Sequence, residues 1–398
     1  MNFKNYFFIA VAFTIGTTAI AQEVVKDKMS IMTPGQELLN KKNGKYKFTV
    51  VKNMEATEVL NQNQSGTCWT FSSLSFLESE LLRMGKPKSI LSEMFIVRNA
   101  YADKADKYVR MHGEVNFAGG GAFHDVTYVL KNYGMLPREA YTGLANGEKE
   151  INHNELDAVV KGMMDAVIKV NKLTPAWKKS LNATLDAYLG PVPQTFTYQG
   201  KSYTPKSYSE SLGLNINDYV EIGSFTHHPF YSKFMLEVPD NWMSDEIYNV
   251  PLDEMMDIID NALINGYTIA WGADVSEKGF SFKNGVAIVP ELDWDDVKKE
   301  EIDSVILNPG KQKVITQAMR QEAFDNYETQ DDHGMHITGI AKDQNGTKYY
   351  IVKNSWGTKR NDCDGYFYAS EAYVKYKTMD FMVHKSALKK EVAKKLGI

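Results

Sequence analysis

The chain has 398 residues, of which 43% are hydrophobic, 12% aromatic and 24% charged, a composition typical of a globular protein with a sizeable core. At this length, one large domain and two fused subdomains are both plausible. The formal net charge of −5 at pH 7 offers no basic surface for nucleic acid, so we expect no nucleic-acid partner.

The N-terminus has the pattern of a secretory signal peptide. Lys4 precedes the apolar run YFFIAVAFTIGTTAIA, which ends in small residues typical of a cleavage site. This pattern predicts a signal peptide over residues 1–21, cleaved before Gln22, and therefore an exported protein, periplasmic or secreted. A retained membrane anchor is less favoured, because the run is short for a bilayer span. No later stretch is long and apolar enough to cross a membrane, so we expect no membrane partner after cleavage.

The chain contains two cysteines, Cys68 and Cys363, so at most one disulfide is possible in an oxidising compartment. Cys68 lies in NQNQSGTCWTF, after a polar, glycine-containing loop. Apolar residues recur at helical spacing in the segment that follows, so we predict a helix that begins at or near Cys68. The unpaired N–H groups at a helix start favour a thiolate, which makes Cys68 a candidate nucleophile. For Cys363, in the polar segment NDCDGYF, we expect a free and partly exposed thiol.

Gln62 lies six residues before Cys68. The Gln62 side-chain amide and the Cys68 backbone N–H are two donors that would stabilise the oxyanion formed when a thiolate attacks a carbonyl. A cysteine at a helix start is usually structural when it stands alone. The combination of Gln, Gly, Cys and Trp at this spacing is much rarer, and it favours a catalytic role.

A catalytic thiol needs a base, and the base needs a group that orients it. The segment DDHGMHITGIA leads into a β-prone run, which is followed by a turn and a second β-prone run, YYIVKNSWG. The Asn345-Gly346 pair in the turn predicts a hairpin. A hairpin would bring His333 close to Asn354, whose side-chain oxygen would hold the imidazole. Trp356 would then shield that bond from water.

Three other histidines have local sequences that suggest a role. His336 is the alternative base, but it lies three residues from His333 and therefore on the opposite face of the strand. His227 and His228, which precede a proline, are typical of a loop and hint at a metal. No acid or cysteine cluster lies at ligand spacing nearby, so we expect a structural role for this pair, and we predict no metal and no cofactor.

The segments NQNQSGTCWTF, DDHGMHITGIA and YYIVKNSWGT resemble the three active-site blocks of papain-like cysteine peptidases. The resemblance implies that Cys68 is the nucleophile, His333 the general base and acid, Asn354 its orienting residue and Gln62 the oxyanion donor. It also implies an α+β fold with two lobes, a helical lobe that carries the cysteine and a β-barrel-like lobe that carries the histidine and asparagine. The cleft between the lobes would bind the substrate.

The segment GGGAFHD is similar to the glycines that line the substrate cleft in that family. Gly119, Gly120 and Gly121 are therefore candidate backbone contacts for an extended peptide. The resemblance does not settle a role for His124 or Asp125.

The separation of 265 positions between Cys68 and His333 is far more than a compact papain-like enzyme requires. The extra material resembles the bleomycin hydrolase and bacterial aminopeptidase C branch of the family, so we expect a large helical insertion. The expected organisation is a signal peptide (1–21), an N-terminal extension (22–44), a helical lobe (45–140), a helix-rich family insertion (141–265), a β-rich lobe (266–383) and a C-terminal arm (384–398).

This branch implies a homohexameric aminopeptidase that acts on peptide or protein substrates and whose C-terminal carboxylate caps the cleft. Ile398 is the candidate cap here, although the arm HKSALKKEVAKKLGI is shorter than the closing segment of the family, whose members are typically cytoplasmic. If Ile398 does not reach the cleft, cleavage as an endopeptidase or a dipeptidyl peptidase is the alternative. A catalytically silent peptide-binding protein and a Cys/His acyltransferase acting on small amines are further alternatives.

Overall fold

The computed structural model describes residues 32–398, so the predicted signal peptide lies outside the described residues. Within this range, no helix combines the length and the apolar character that a membrane span requires.

Between Met32 and Ile398 the chain forms eleven α-helices and fourteen β-strands. The helices are α1 (Cys68–Arg83), α2 (Glu93–Arg110), α3 (Phe123–Tyr133), α4 (Asn154–Val167), α5 (Ala176–Leu189), α6 (Pro205–Leu212), α7 (Leu252–Ile264), α8 (Ile302–Leu307), α9 (Gln317–Asp325), α10 (Glu371–Lys377) and α11 (Lys390–Leu396). The strands are β1 (Glu37–Leu39), β2 (Lys47–Asn53), β3 (Phe196–Tyr198), β4 (Lys201–Tyr203), β5 (Tyr219–Gly223), β6 (Lys233–Met235), β7 (Glu246–Asn249), β8 (Ile269–Ala273), β9 (Phe280–Ser281), β10 (Val286–Ala287), β11 (His333–Lys342), β12 (Lys348–Lys353), β13 (Tyr366–Ser370) and β14 (Thr378–His384).

Helix α1 is the central helix of the molecule and begins at Cys68, as predicted. Every residue from Trp69 to Leu81 is buried, although several are serines or glutamates. The serine hydroxyls have partners inside and outside the helix: Ser72 donates to the Cys68 carbonyl (2.9 Å), Ser73 donates to the Trp69 carbonyl (2.7 Å), and Ser79 donates to the Glu55 carbonyl (3.0 Å). Because these hydroxyls are hydrogen-bonded, α1 can be buried on all sides.

The helical lobe packs around one side of α1. Helices α2 and α3 pack against it, α4 and α5 pack against α2, and the buried apolar side chains of all five helices share one core. Representative core residues of α1 to α5, in chain order, are Leu74, Phe95, Val126, Met164 and Leu185. The other side of α1 lies against β8 and β11, so the start of this helix falls at the junction of the two lobes.

Strand β11 is the centre of a twelve-stranded sheet. Along one edge it pairs with β8 through His333–Ile337 and with β2 through Gly339–Lys342. Along the other edge it pairs with β12, with Lys342 opposite Lys348, which confirms the predicted hairpin. The sheet is continued by β13, β10 and β9 on one side and by β14, β5, β7 and β6 on the other.

Two segments join this sheet from parts of the chain that we assigned elsewhere. Strand β2 falls within 45–140, the predicted helical lobe, yet it pairs with β11. Strands β5, β6 and β7 fall within the predicted insertion 141–265 and extend the sheet beyond β14. The insertion up to α6 is helical apart from the short hairpin of β3 and β4, and the strands that follow bring the loop between β6 and β7 to the pocket of Cys68.

Candidate active site

The start of β11 lies directly against the start of α1. A Cβ atom added to Gly334 would lie 3.3 Å from the Trp69 Cα and 2.7 Å from the Ser72 Oγ, so only glycine allows this approach. The approach brings together two side chains that are far apart in the sequence. Cys68 and His333 line the same pocket at the junction of the lobes.

His333 is bonded to the predicted orienting residue. The Nε2 atom of His333 lies 2.7 Å from the Oδ1 atom of Asn354, which also accepts the backbone N–H of Ser355 at 2.7 Å. Since Nε2 contacts Asn354, Nδ1 is the ring nitrogen left to face the pocket that contains Cys68.

Trp356 covers the bond between His333 and Asn354. The ring centroids of His333 and Trp356 are 4.7 Å apart, with the rings inclined at 32°. The rings of Phe280 and Phe282 stand nearly perpendicular to the Trp356 ring, with centroid distances of 6.0 Å and 4.9 Å. His333 and Asn354 are consequently buried, with 5% and 3% of their surface exposed. This is the shielding position that the sequence predicted for Trp356.

Burial opposes ionisation of both groups. It raises the pKa of the Cys68 thiol to about 12, although the backbone N–H groups of Gly334 and Trp69 act in the opposite direction. Burial also lowers the pKa of His333, against the opposing effects of Asn354 and Asp332. In the substrate-free chain, burial therefore opposes the effect of the helix start on the Cys68 thiol, and it disfavours the protonated form of His333.

Gln62 is held beside the hairpin. Its side-chain nitrogen donates to the Ser65 carbonyl at 2.9 Å, and its side-chain oxygen accepts the hydroxyl of Ser355 at 2.6 Å. The Gln62 backbone N–H donates to the Ser355 carbonyl at 2.8 Å. These bonds fix the amide orientation and leave the second N–H hydrogen available. The sequence analysis did not predict that Ser355 contacts Gln62. The one sequence feature that could have indicated this contact is the position of Ser355 directly after Asn354.

The three predicted cleft glycines differ in what their backbone atoms contact. The Gly119 carbonyl accepts the indole N–H of Trp69 at 3.0 Å, and the Gly120 carbonyl accepts the ammonium of Lys104. The backbone N–H and C=O of Gly121 make no hydrogen bond to any residue in 32–398. Gly121 is also the one member of the three that lines the pocket with Cys68. Of the three glycines, Gly121 is therefore the one that offers backbone groups to the pocket.

The pocket wall is rich in carboxyl groups that sequence reasoning did not place here. The acidic residues that line it are Glu221, Asp240, Asp331, Asp332 and Asp380. They come from separate parts of the chain, so no local motif marked them.

His124 belongs to the same wall. Its two ring nitrogens lie 3.0 Å from Glu221 and 3.1 Å from Asn241. Burial alone would lower the pKa of His124, but the charge and hydrogen bond of Glu221 and the charge of Asp125 outweigh burial and raise this pKa to about 10. His124 is therefore a cation already paired with Glu221.

His336, the alternative base, faces away from this pocket. It is buried, and its Nδ1 atom lies 2.8 Å from the Ser75 hydroxyl, which accepts the ammonium of Lys353 at 2.7 Å. Burial, followed by the charge of Lys353, holds the pKa of His336 well below its usual range. A neutral histidine fixed by this internal bond has a structural role.

Ile398, the candidate cap, lies at the end of α11. Val392 and Leu396 anchor this helix in the core of the β-rich lobe. The backbone N–H of Ile398 donates to the Ala393 carbonyl at 3.0 Å, and Ile398 is not among the residues that line the pocket of Cys68. The chain terminus is thus placed on the β-rich lobe rather than in the pocket.

His227 and His228 meet an acid that we did not expect. Their Nε2 atoms lie 2.8 Å and 2.9 Å from the two carboxylate oxygens of Glu237, a grouping with metal-ligand chemistry. The hydrogen bonds of the Gln321 side chain argue against a metal at this grouping. Its oxygen accepts the Thr226 N–H at 2.6 Å, so its nitrogen donates to Nδ1 of His227 at 3.0 Å. His227 therefore carries its proton on Nε2 and donates to Glu237, which is a hydrogen-bonded loop contact.

Cys363 is not exposed. Its side chain is 2% exposed, and its sulfur lies 2.8 Å from the Asn40 carbonyl, so the prediction of a partly exposed thiol is wrong. Both cysteines are free, as expected if Cys68 is catalytic.

Comparisons with known proteins identify the family of this chain. A family model described as the peptidase C1-like family matches residues 194–397, slightly more than half of the chain. Aminopeptidase G of Lactobacillus delbrueckii subsp. lactis is 25% identical over 378 residues, which cover 84% of this chain and 82% of that protein. Aminopeptidase C of Listeria innocua is 24% identical over 381 residues, with coverage of 84% and 82%.

One solved structure also resembles this chain. PepW from Lactobacillus rhamnosis HN001 (DR20) superposes with a TM-score of 0.68 at 20% sequence identity, covering 88% of this chain and 84% of that chain. The likeness confirms the predicted α+β fold class.

Proposed function

The chain belongs to the peptidase C1-like family, and we propose that it is a cysteine-type aminopeptidase that uses Cys68, His333 and Asn354. One observation carries the proposal: His333 is bonded to Asn354 at 2.7 Å through Nε2 and lines one pocket with Cys68. The similar proteins named aminopeptidase G and aminopeptidase C support the reaction class.

The first half of the reaction forms a thioester. Nδ1 of His333 takes the proton from the Cys68 thiol as the sulfur attacks the substrate carbonyl carbon. The carbonyl oxygen becomes an oxyanion, which the Gln62 side-chain N–H and the Cys68 backbone N–H stabilise. His333 then gives its proton to the nitrogen of the scissile bond, the C–N bond breaks, and the shortened peptide leaves as an amine.

The second half releases the acid. A water molecule loses a proton to His333 and attacks the thioester carbon, with the oxyanion in the same site. The C–S bond breaks, the carboxylic acid leaves, and Cys68 recovers its proton from His333. Because burial disfavours charge on both groups, transfer within the pair avoids a separated ion in the pocket.

Dipeptidyl cleavage is the second candidate, and one observation favours it. Ile398 is not among the residues that line the pocket, so this residue does not limit the acyl group to one residue. The two activities differ in the length of the free-amine acyl group that the pocket accepts.

A labelling and substrate experiment tests the proposal. The mature protein, Cys68→Ala, His333→Ala and the control Cys363→Ala are treated under reducing conditions with a thiol-directed epoxide and with fluorogenic amides of alanine, dialanine and their N-acetyl forms. We expect labelling at Cys68 in the wild type and in Cys363→Ala, cleavage of the free-amine substrates by both, and neither reaction in Cys68→Ala. A wild-type chain that is neither labelled nor active on any of the amides would contradict the assignment as a cysteine peptidase. Cleavage of the acetylated amides alone would support an endopeptidase.

We further propose that the chain is exported and that its mature form begins at Gln22. The pattern of residues 1–21 supports this, and the N-terminal mass of the protein recovered outside the cytoplasm tests it. A homohexamer stays a prediction that sedimentation would check.

A further inference from the structure

The Asp331 side chain reaches the pocket of Cys68. It lines the same pocket as Cys68, and its carboxylate accepts no hydrogen bond and forms no ion pair with any residue in 32–398. Its sequence neighbour Asp332 differs, because that carboxylate accepts the Val275 N–H at 3.1 Å and the Ser276 hydroxyl at 2.7 Å. Asp331 is therefore a half-buried acid for which the fold itself supplies no counter-charge.

Asp240 reaches the same pocket from the loop between β6 and β7. Its carboxylate accepts the Asn116 amide at 2.9 Å. A Cβ atom added to Gly120 would overlap the Asp240 carboxylate, so this loop lies directly on the glycine segment. The loop thus contacts the glycine segment at Gly120, one residue from Gly121, whose backbone groups make no hydrogen bond within 32–398.

The nearby cations are already engaged. Lys104 donates to the carbonyls of Ala118, at 2.9 Å, and Gly120, and it forms no ion pair with Asp240. His124 is bonded to Glu221. Burial, followed by the charges of Asp240 and Asp332, raises the pKa of Asp331 to about 7. A cation placed between Asp240 and Asp331 would relieve this repulsion and fill the missing interaction.

We propose that Asp240 and Asp331 bind the α-ammonium group of the substrate. The inference rests on the proposed peptidase function and deepens it, since it names the residues that select a free N-terminus. An ammonium held here directs the following carbonyl towards Cys68, and the Asp240 loop lies against the glycine segment on the side where residues preceding the N-terminus would extend. The amine belongs to a one-residue acyl group in an aminopeptidase and to a two-residue acyl group in a dipeptidyl peptidase.

Kinetics of the full mature chain test the inference. The variants are Asp240→Asn, Asp331→Asn and the double variant, with Asp295→Asn as the charge-matched control, because that side chain is 97% exposed. Each is assayed with fluorogenic amides of alanine and dialanine and with their N-acetyl forms. We expect the double variant to lose roughly tenfold or more in kcat/KM on the free-amine substrates, mainly through KM, with little change on the acetylated ones. The better of the two free-amine substrates identifies which amine lies at the acids.

A second measurement does not depend on a substrate. Anionic iodoacetate should alkylate Cys68 more slowly than neutral iodoacetamide, and the double variant should raise the iodoacetate rate alone, by roughly threefold or more. Equal losses on free and acetylated amides, or an unchanged preference between them together with an unchanged iodoacetate rate, would overturn the inference and leave the peptidase assignment standing. A wild-type chain that neither cleaves any amide nor reacts at Cys68 would remove both.

Discussion

The hydroxyl of Ser355 donates to the side-chain oxygen of Gln62 across 2.6 Å. Ser355 directly follows Asn354, so the hairpin that orients His333 also orients the proposed oxyanion donor. One strand end therefore positions two functional groups that lie on different segments of the chain.

Removal of this hydroxyl should weaken oxyanion stabilisation. In Ser355→Ala, the Gln62 amide loses the bond that fixes its orientation, and we expect kcat to fall roughly tenfold with little change in KM. Steady-state kinetics on a free-amine amide check this. The exposed Ser304 offers a matched Ser304→Ala control, which should behave as wild type. A change in KM alone would contradict the role given to Ser355.

Two replacements of Asn354 should distinguish its role in orienting the His333 ring from the effect of a charge beside that ring. Asn354→Ala removes the acceptor for Nε2 of His333, and kcat/KM should fall roughly tenfold to a hundredfold. Asn354→Asp keeps an oxygen that accepts from Nε2. The Asn354 side-chain nitrogen, which becomes an oxygen in this variant, is buried without a hydrogen-bond partner among the described residues, so its replacement breaks no bond there.

The Asn354→Asp variant should therefore stay active, with its pH profile shifted. An anion beside the ring raises the pKa of His333, whereas burial lowers this pKa in the wild type. The reaction needs neutral His333, so the acidic limb of kcat/KM should lie below pH 6.5 in the wild type and move to higher pH in the variant. An acidic limb that does not move would argue against His333 as the base.

Gly334 should not tolerate a side chain. In Gly334→Ala, the new methyl group meets Ser72 and Trp69, which pushes β11 away from α1 and should cost about 1–3 kcal/mol of stability. Activity should fall further than stability, because His333 moves with the strand. Gly162→Ala is the control, since no atom lies within 4 Å of a Cβ at that helical position and alanine should be neutral or stabilising there. Thermal unfolding and kinetics of both variants check the pair.

Asp331→Asn should stabilise the protein at neutral and alkaline pH. The pKa of Asp331 is raised from 3.8 to about 7 in the folded chain, so the folded state binds more protons between these values and stability falls as pH rises through them. The variant has no carboxyl group here and does not lose stability in this way. Its free energy of unfolding should therefore exceed that of the wild type by an amount that grows from zero near pH 4 to on the order of 1–2 kcal/mol above pH 7. Denaturant unfolding across this range measures it, with Asp295→Asn expected to show no such trend. An advantage of equal size at pH 4 would contradict the electrostatic cause.

The amino-acid sequence alone determined the local parts of the site. The helix that begins at Cys68 follows from apolar spacing after a polar loop, and the hairpin that joins His333 to Asn354 follows from Asn345-Gly346 between two β-prone runs. Both elements depend on contacts between residues that are close in the chain. Local composition and hydrophobic periodicity indicate such contacts.

Only the tertiary structure decided what surrounds these elements. The Asp240 loop on Gly120, the Ser355 bond to Gln62 and the burial that raises the pKa of the Cys68 thiol all depend on segments distant in sequence, through contacts that leave no periodic pattern. The same holds for β2, which reaches β11 from the far end of the chain. Packing of the two lobes fixes these neighbours, and with them the charge of the pocket, because burial and partner identity are properties of the folded chain rather than of any one segment.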